Sequence, residues 1–304
     1  MTTVPLPVRT MVRHAMERRT LDVVGVRDVS PTMRRITLSG SALAGFAAPG
    51  PDDHVKVFFP DPTSGILTLP ETGPGGVQSI AFGRPDQSIP STTTGEPRQM
   101  IERGQVIARD FTPRELRAAS HGRDAELDID FVLHGDTAPA TAWATRATVG
   151  DTLTIGGPRG SKLVPEGLES AVLVGDPTSL PALLRWIERM PDDVDLRAIA
   201  VVPDESYRQY VASSPRASTA EWMWIVEPDA DARAQALLGV LQILELPDDG
   251  FVWAAGEASS LVPVRRYLRR DLGLDRSRVL VDGYWRRGTS NLDHHAPLDP
   301  TDPD

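Results

Sequence analysis

The chain has 304 residues, 40% hydrophobic and 24% charged, which suits two packed domains and excludes a disordered or coiled-coil chain. A formal net charge of −10 argues against a nucleic-acid partner, which needs a clustered positive footprint. The complete absence of cysteine excludes disulfides, thiolate nucleophiles, Cys-ligated zinc and protein-held iron–sulfur clusters.

No apolar run approaches the roughly 18 residues of a membrane span, so no membrane partner is expected. Arg9, Arg13, Arg18 and Arg19 are not followed by an apolar stretch, which argues against a secretory leader and for a cytoplasmic location. Residues 15–160 read as short strands between Gly/Pro/Asp turns, the pattern of an antiparallel β-barrel. Leu21–Val26 and Met33–Leu38 alternate, and His54–Phe59 ends at Pro60, which cannot donate to a ladder. Glu126–Leu133 places Asp128 and Asp130 outward between apolar positions, and Asp151–Ile155 follows. Between these, residues 61–105 are Pro/Gly/Ser/Thr-rich and read as a long loop or insertion.

The rhythm changes in residues 168–288. Continuous apolar strands at Ala171–Gly175, Leu196–Val202, Trp222–Val226, Phe251–Ala255 and Val279–Val281 alternate with helices at Ser179–Met190, Ala230–Leu244 and Ser259–Leu272. Strands apolar on both faces and separated by helices predict a doubly wound parallel sheet. Arg265, Arg266, Arg269 and Arg270 read as a solvated helix face, and residues 289–304 as a disordered acidic tail.

Several constellations could carry chemistry. On a strand, Arg109 and Phe111 share a face, so a guanidinium for a phosphate stands beside a ring for a flat heterocycle, with the Thr112 backbone available to ring edges. Asp130–Asp136 is a strand that turns at His134-Gly135, and a short helix starts near Pro139. Free amides there, next to the small residues Ala140, Thr141 and Ala142, suit a diphosphate. Asp176 and Thr178 follow the first parallel strand and Glu257 the fourth, where open α/β sheets bind ligands. Asp176 could equally be a helix cap, and Glu257 a first-turn carboxylate. Neither G-x-G-x-x-G nor a P-loop is present.

In order along about residues 15–288, these segments resemble the siderophore-interacting proteins, FAD-dependent ferric-siderophore reductases of the ferredoxin–NADP reductase superfamily. The family's R-x-Y-[ST]-x-R is matched by Arg109, Phe111, Thr112 and Arg114, and its D-F-V-x-H-G and W-A segments by Asp130–Gly135 and Ala140–Ala144. Its G-D-x-L-x-x-x-G-P-R-G-S stretch is matched from Gly150 to Ser161, and G-D-E-T-x-L-P-A from Gly175 to Ala182. Trp253–Ala258 and Gly283–Arg286 match its W-x-A-G-E-A and G-Y-W-R. The resemblance implies FAD near Arg109, Phe111 and Thr112, with its diphosphate over His134, Gly135, Asp136 and Ala140–Trp143. It implies NAD(P)H near Asp176, Thr178, Glu257, Tyr284, Trp285 and Arg286.

The implied reaction passes electrons from NAD(P)H through FAD to Fe(III) held by a siderophore, with no protein acid, base or resident metal. An anionic ferric siderophore would meet Lys56, Arg159, Lys162 and Arg287. Two alternatives remain: a general flavin or ferredoxin-type reductase serving a protein partner, and a degenerate member that binds without catalysis. Phe111 stands where the motif has tyrosine, and Pro177 where it has glutamate; both departures bear on donor use.

Overall fold

The computed structural model describes residues 6–70, 106–120, 122–133, 138–246, 250–289, 292 and 297–302. The N-terminal half holds β1 (Met11–Arg13), β2 (Arg18–Ser30), β3 (Met33–Ser39), β4 (Val55–Phe59), β5 (Ile107–Phe111), β6 (Pro113–Arg117) and β7 (Glu126–Val132). It continues with α1 (Pro139–Arg146), β8 (Thr152–Gly156) and β9 (Gly160–Lys162). Seven of these strands form one antiparallel sheet in the order β5-β4-β8-β2-β3-β7-β6, while β1 and β9 pair as a separate ribbon.

The strand order forces the sheet to curl. Its two edges, β5 and β6, are consecutive in the chain and joined by Thr112 alone. In a flat sheet they would lie about 29 Å apart at about 4.8 Å per strand spacing. One linking residue reaches only about 7–8 Å. The sheet therefore rolls around Leu21, Val23, Ile36, Leu38, Val57 and Ile129, the alternate residues that sequence periodicity points inward.

The second half is β10 (Ser170–Gly175), α2 (Leu180–Arg189), β11 (Asp195–Val202), α3 (Tyr207–Ala212), β12 (Glu221–Val226), α4 (Ala230–Ile243), β13 (Phe251–Glu257), α5 (Ala258–Arg266) and β14 (Val279–Trp285). The strands are all parallel, in the order β12-β11-β10-β13-β14. Every residue of β10 and β13 is buried, because helices cover both faces. Leu183 and Ile187 of α2 join one core with Tyr210 of α3; Leu237 and Leu241 of α4 join the other with Val264 of α5. The helix α3 was not read from the sequence: it is six residues long and is held by burial of Tyr207, Tyr210 and Val211.

Two readings of exposed charge are corrected. Asp128 and Asp130 do point away from the barrel core, yet they are only 2% and 5% exposed. Arg35 forks onto Asp130 with both bonds at 2.8 Å, and the Tyr210 hydroxyl donates to the same carboxylate at 2.7 Å from the second domain. Arg117 and Thr37 donate to Asp128. The helix arginines are not simply solvated, and residues 297–302 are not a loose tail. Arg266 pairs with Asp299 at 3.0 Å, Arg270 pairs with Asp302, and Arg265 donates to the Asp302 carbonyl at 2.6 Å. Carboxylates late in the chain thus neutralise the helix cations.

The domains are joined by buried charge. Arg185 of α2 is 1% exposed, and its guanidinium donates to the carbonyls of Pro51 at 3.1 Å and Ala48 at 2.6 Å, and to those of Gly50 and Pro113. Burial, with the like charge of Arg189 and Arg114, pulls its pKa down to about 9, so it stays charged at neutral pH. One turn on, Glu188 accepts a fork from Arg114 of β6 and a bond from Ser214. Val29 and Met33 of the barrel complete the contact by entering the core of the second domain.

Replacing Arg185 by Met should remove about 2–4 kcal/mol of unfolding free energy, because four buried carbonyls lose their donor; urea titration measures it. The Glu188 carboxyl is pushed up by burial, but the hydrogen bonds and charge of Arg114 outweigh this and hold it below the ordinary range. Its stabilising contribution is therefore complete above the unfolded value of about 4.3 and is lost as pH falls through the lower folded value. Melting temperatures measured from pH 6 to pH 3.5 should fall less steeply for Glu188→Gln than for the parent chain.

Candidate cofactor-binding site

On the barrel side, Arg109 and Phe111 lie on β5 and share a face, as expected. Arg109 is half-buried, and the one hydrogen bond it makes among the described residues is to the neighbouring Ala108 carbonyl at 2.7 Å. Burial lowers its pKa, with Asp110 opposing. A guanidinium taken out of water with no carboxylate bonded to it among the described residues is a donor set that suits a phosphate.

Phe111 packs its ring 4.5 Å from Phe131 and 6.0 Å from Phe59, and Trp143 of α1 closes the cluster 5.9 Å from Phe131. The rings are tilted or edge-on to one another. Phe59 and Phe131 are buried in the barrel core, and Phe111 and Trp143 are the partly buried members; phenylalanine in place of tyrosine packs in this cluster. Thr112, the residue that joins the sheet edges, is buried beside it. α1 begins at Pro139 behind Ala138, which supplies no side-chain cap to its first amides. Ala140 is half-buried; Thr141 and Ala142 are buried, and their small side chains keep the turn narrow. His134, Gly135 and Asp136 lie outside the described residues. So do 71–105, the bulk of the expected insertion.

On the parallel-sheet side the order reverses between β10 and β13, and this switch point is where ligands enter such sheets. Asp176 and Glu257 stand there, at the carboxyl ends of those two strands. Asp176 Oδ1 accepts from the Thr178 amide at 2.9 Å, the Thr178 hydroxyl at 2.6 Å and the Ser179 amide at 3.2 Å. Its Oδ2 accepts from the Glu257 amide at 2.9 Å and from Trp285 Nε1 at 2.7 Å. Burial raises its pKa, while the Thr178 and Trp285 bonds oppose the rise. One carboxylate thus ties the turn after β10, the end of β13 and the end of β14.

Gly256 makes this clasp possible. Its φ is +151°, and a Cβ there would stand 2.7 Å from the Asp176 carboxyl carbon. Glu257 caps α5 through the Ser260 amide at 2.7 Å and accepts from the Arg287 amide at 3.1 Å. Neither bland alternative holds as stated: the N-cap position of α2 is Ser179, with Asp176 organising the turn before it, and Glu257 is itself the N-cap of α5 rather than a first-turn carboxylate. The two carboxylates fix the walls of the crevice rather than leave it empty of role.

The structure brings Asp176, Thr178, Glu257 and Trp285 together by these bonds. Tyr284 is half-buried against the core shared with α2. Arg286 is drawn away, donating to the Leu298 carbonyl at 3.1 Å. Among the cations expected to meet substrate, Lys56 is neutralised across the strand pair by Asp110 at 2.5 Å. Arg287 pairs with Asp231 at 3.3 Å on the other domain. Arg159 and Lys162 are exposed on the barrel, where the Arg159 Nε contacts Met16 sulfur at 3.1 Å. No hydrogen bond or ion pair links these four to one another among the described residues.

Sequence reasoning missed the residues that set the crevice between the domains: Arg185, Glu188, Arg35 and Tyr210. The signal available was one arginine inside the apolar face of α2, between Leu184 and Trp186. A cleft of about 660 Å³ runs beside this contact, lined by Phe46, Arg114, Leu116, Arg189 and Arg216 among others. It contains none of the expected cofactor residues.

Comparison with known proteins matches both halves of the chain. Residues 22–88 and 73–162 match the siderophore-interacting FAD-binding domain, and residues 168–288 match the siderophore-interacting protein domain. The chain is 30% identical over 281 residues to the ferric vibriobactin reductase ViuB of Vibrio cholerae, covering 91% of this chain and 92% of that one. It is 32% identical over 280 residues to the NADPH-dependent ferric-chelate reductase of Escherichia coli, covering 90% and 95%. The crystal structure of a siderophore utilization protein from T. fusca superposes with a TM-score of 0.75 at 38% identity, covering 95% of this chain and all of the other. A curled antiparallel FAD-domain sheet, a parallel sheet with its switch point at Asp176, and matches along nearly the whole length give one answer: the chain belongs to the siderophore-interacting protein family.

Proposed function

We propose that this protein is a FAD-dependent reductase that takes electrons from NAD(P)H and delivers them to Fe(III) bound by a siderophore, freeing the iron as Fe(II). The observation that carries the reading is Arg109, a half-buried guanidinium bonded to a main-chain carbonyl on the same strand face as the partly buried ring of Phe111. Bound FAD supplies the conversion between a two-electron donor and a one-electron acceptor. One NAD(P)H then reduces two Fe(III) to two Fe(II), with release of NAD(P)+ and a proton. Siderophores hold Fe(II) far more weakly than Fe(III), so reduction loosens the metal.

The chain's own residues bind and orient. Arg109 and the uncapped first turn of α1 would hold the diphosphate, and His134, Gly135 and Asp136 would continue that grip. Phe111 and Trp143 would cover the ring system, with the Thr112 backbone at its edge. The Asp176–Thr178–Glu257–Trp285 clasp would shape the nicotinamide pocket, and Tyr284 would back it. Of the substrate cations, Arg159 and Lys162 are exposed on the barrel and would add positive charge toward an anionic complex. Lys56, Arg286 and Arg287 would contribute only if their carboxylate or carbonyl partners release them. A cytoplasmic location follows from the donor, since NAD(P)H pools are cytoplasmic. A ferredoxin is the competing donor, and direct reduction by a nicotinamide removes the need for one.

Purified protein should be yellow, or become so with added FAD, and should bleach anaerobically with a reduced nicotinamide and recover colour with a ferric siderophore. A protein that ignores FAD would overturn the reading. Arg109→Gln should weaken FAD binding about tenfold to a hundredfold, the worth of a hydrogen bond to a charged group at about 1.5–3 kcal/mol. Fluorescence titration of the apoprotein with FAD checks this.

A further inference from the structure

Three arginines, Arg197, Arg208 and Arg216, stand near strand ends of the parallel sheet, and an arginine there could read the 2′-phosphate that distinguishes NADPH from NADH. The structure separates them. Arg197 lies near the start of β11 and is held by Asp195 at 3.7 Å, Glu221 at 4.0 Å and the Glu245 carbonyl at 3.1 Å. Arg216 precedes β12 and pairs with Asp192 at 2.5 Å, just before β11. Both are at the amino ends of the strands, the wrong end for a ligand in an open α/β sheet.

Arg208 alone of the three is at the carboxyl end, in α3 just beyond the turn that follows β11. It is not available as it stands. Its Nε is bonded to Glu205, and its guanidinium lies over Trp224 with 4.5 Å to the ring centroid. Around it the charge is negative. Asp204 closes the same turn by accepting from the Ser206 amide at 2.8 Å. Glu227 ends β12, its amide donating to the Val202 carbonyl of β11 at 3.0 Å. The other guanidinium at this edge, Arg233, donates to the carbonyls of Glu227 and Pro228.

This turn belongs to the crevice between the domains. Ser206 meets Thr32 of the barrel at 3.2 Å, and the Thr32 carbonyl accepts from the Leu133 amide, the residue before the expected diphosphate segment. Tyr207 feels both Asp204 and Asp176: burial raises its pKa, and the two carboxylates add to the rise while Thr32 and Arg233 oppose it.

Resting on the flavoreductase reading above, we infer that the electron donor is NADH, and that Asp204, Glu205 and Glu227 exclude NADPH. A carboxylate at the end of the second parallel strand accepts a hydrogen bond from a ribose 2′-hydroxyl. The same carboxylates repel a 2′-phosphate, which brings close to two further negative charges at neutral pH. Glu205 acts as a positioning residue: it occupies Arg208, while Arg233, the other guanidinium at this edge, is turned to the carbonyls of Glu227 and Pro228. In this respect the chain departs from its E. coli relative, whose name records NADPH dependence.

The test is equilibrium binding of 5′-AMP and of adenosine 2′,5′-bisphosphate to the FAD-loaded protein, read by calorimetry and by quenching of tryptophan fluorescence at low and moderate salt. Anaerobic flavin bleaching by NADH and by NADPH is followed in parallel. The parent protein should bind 5′-AMP at least about tenfold more tightly, a margin that narrows with salt as charge repulsion is screened. Glu205→Gln, an exposed and conservative change, should improve binding of the bisphosphate relative to 5′-AMP by about tenfold, and Glu205→Gln/Glu227→Gln further. Tighter binding of the bisphosphate by the parent, or an unchanged ratio in both variants, would overturn the inference while leaving the reductase intact. Failure of both nucleotides to bind, with the flavin left oxidised by both donors, would overturn the nicotinamide reading itself.

Discussion

Arg185 carries a full charge into the contact between the domains, where main-chain carbonyls receive it and the nearest carboxylate, Asp53, stands 3.9 Å away. A guanidinium so placed is costly to bury, and its lowered pKa records that cost. What it gains is geometry. The donors of one planar group fix the loop at Ala48–Pro51 and the start of β6 at Pro113 to a single helix. A crevice for two cofactors has a defined width only if its walls are held this firmly, and the Arg114–Glu188 and Arg35–Asp130–Tyr210 links reinforce the same contact.

The helix that makes this contact also begins at the switch point of the parallel sheet. α2 starts from the turn that Asp176 organises through Thr178 and Ser179, and it reaches the barrel through Arg185 and Glu188. Its middle is apolar and buried: Leu183, Leu184, Trp186 and Ile187 lock it onto β10 and its neighbours. Position is therefore transmitted along a rigid rod of three turns. Pro177, the departure from the family glutamate, sits inside the Asp176 turn without breaking it, because the turn closes on the amides of Thr178 and Ser179.

Most of the strands were legible because half-buried strands alternate and buried ones do not. Leu21, Val23, Ile36 and Leu38 declared the barrel, and Ala171–Val174 the parallel sheet. Asp130 shows where that reasoning stops. Its alternation correctly pointed away from the barrel core, but the face it points to is covered by Tyr210, eighty residues later. Periodicity identifies a face and says nothing about what docks on it. The same limit hid Arg185, which stands on the buried side of an otherwise ordinary amphipathic helix. The helix arginines near 265–270 misled for the opposite reason: their partners, Asp299 and Asp302, sit in a segment whose composition resembles a solvated tail. At the candidate site, motif order singled out Arg109, Phe111 and Asp176, whereas the roles inferred for Glu205 and Arg208 needed the strand ends to be placed first.

The single residue between β5 and β6 has a mechanical implication. Hydrogen-bonded sheet edges can part a little at a time, but at Thr112 the two edges are one continuous covalent chain. The circumference of the barrel at that point is set by bond lengths, so the sheet can open elsewhere around its rim but not there. Arg109 and Phe111 are mounted immediately beside this fixed point. The residues proposed to grip a phosphate and a ring are thus mounted where the two sheet edges are covalently joined.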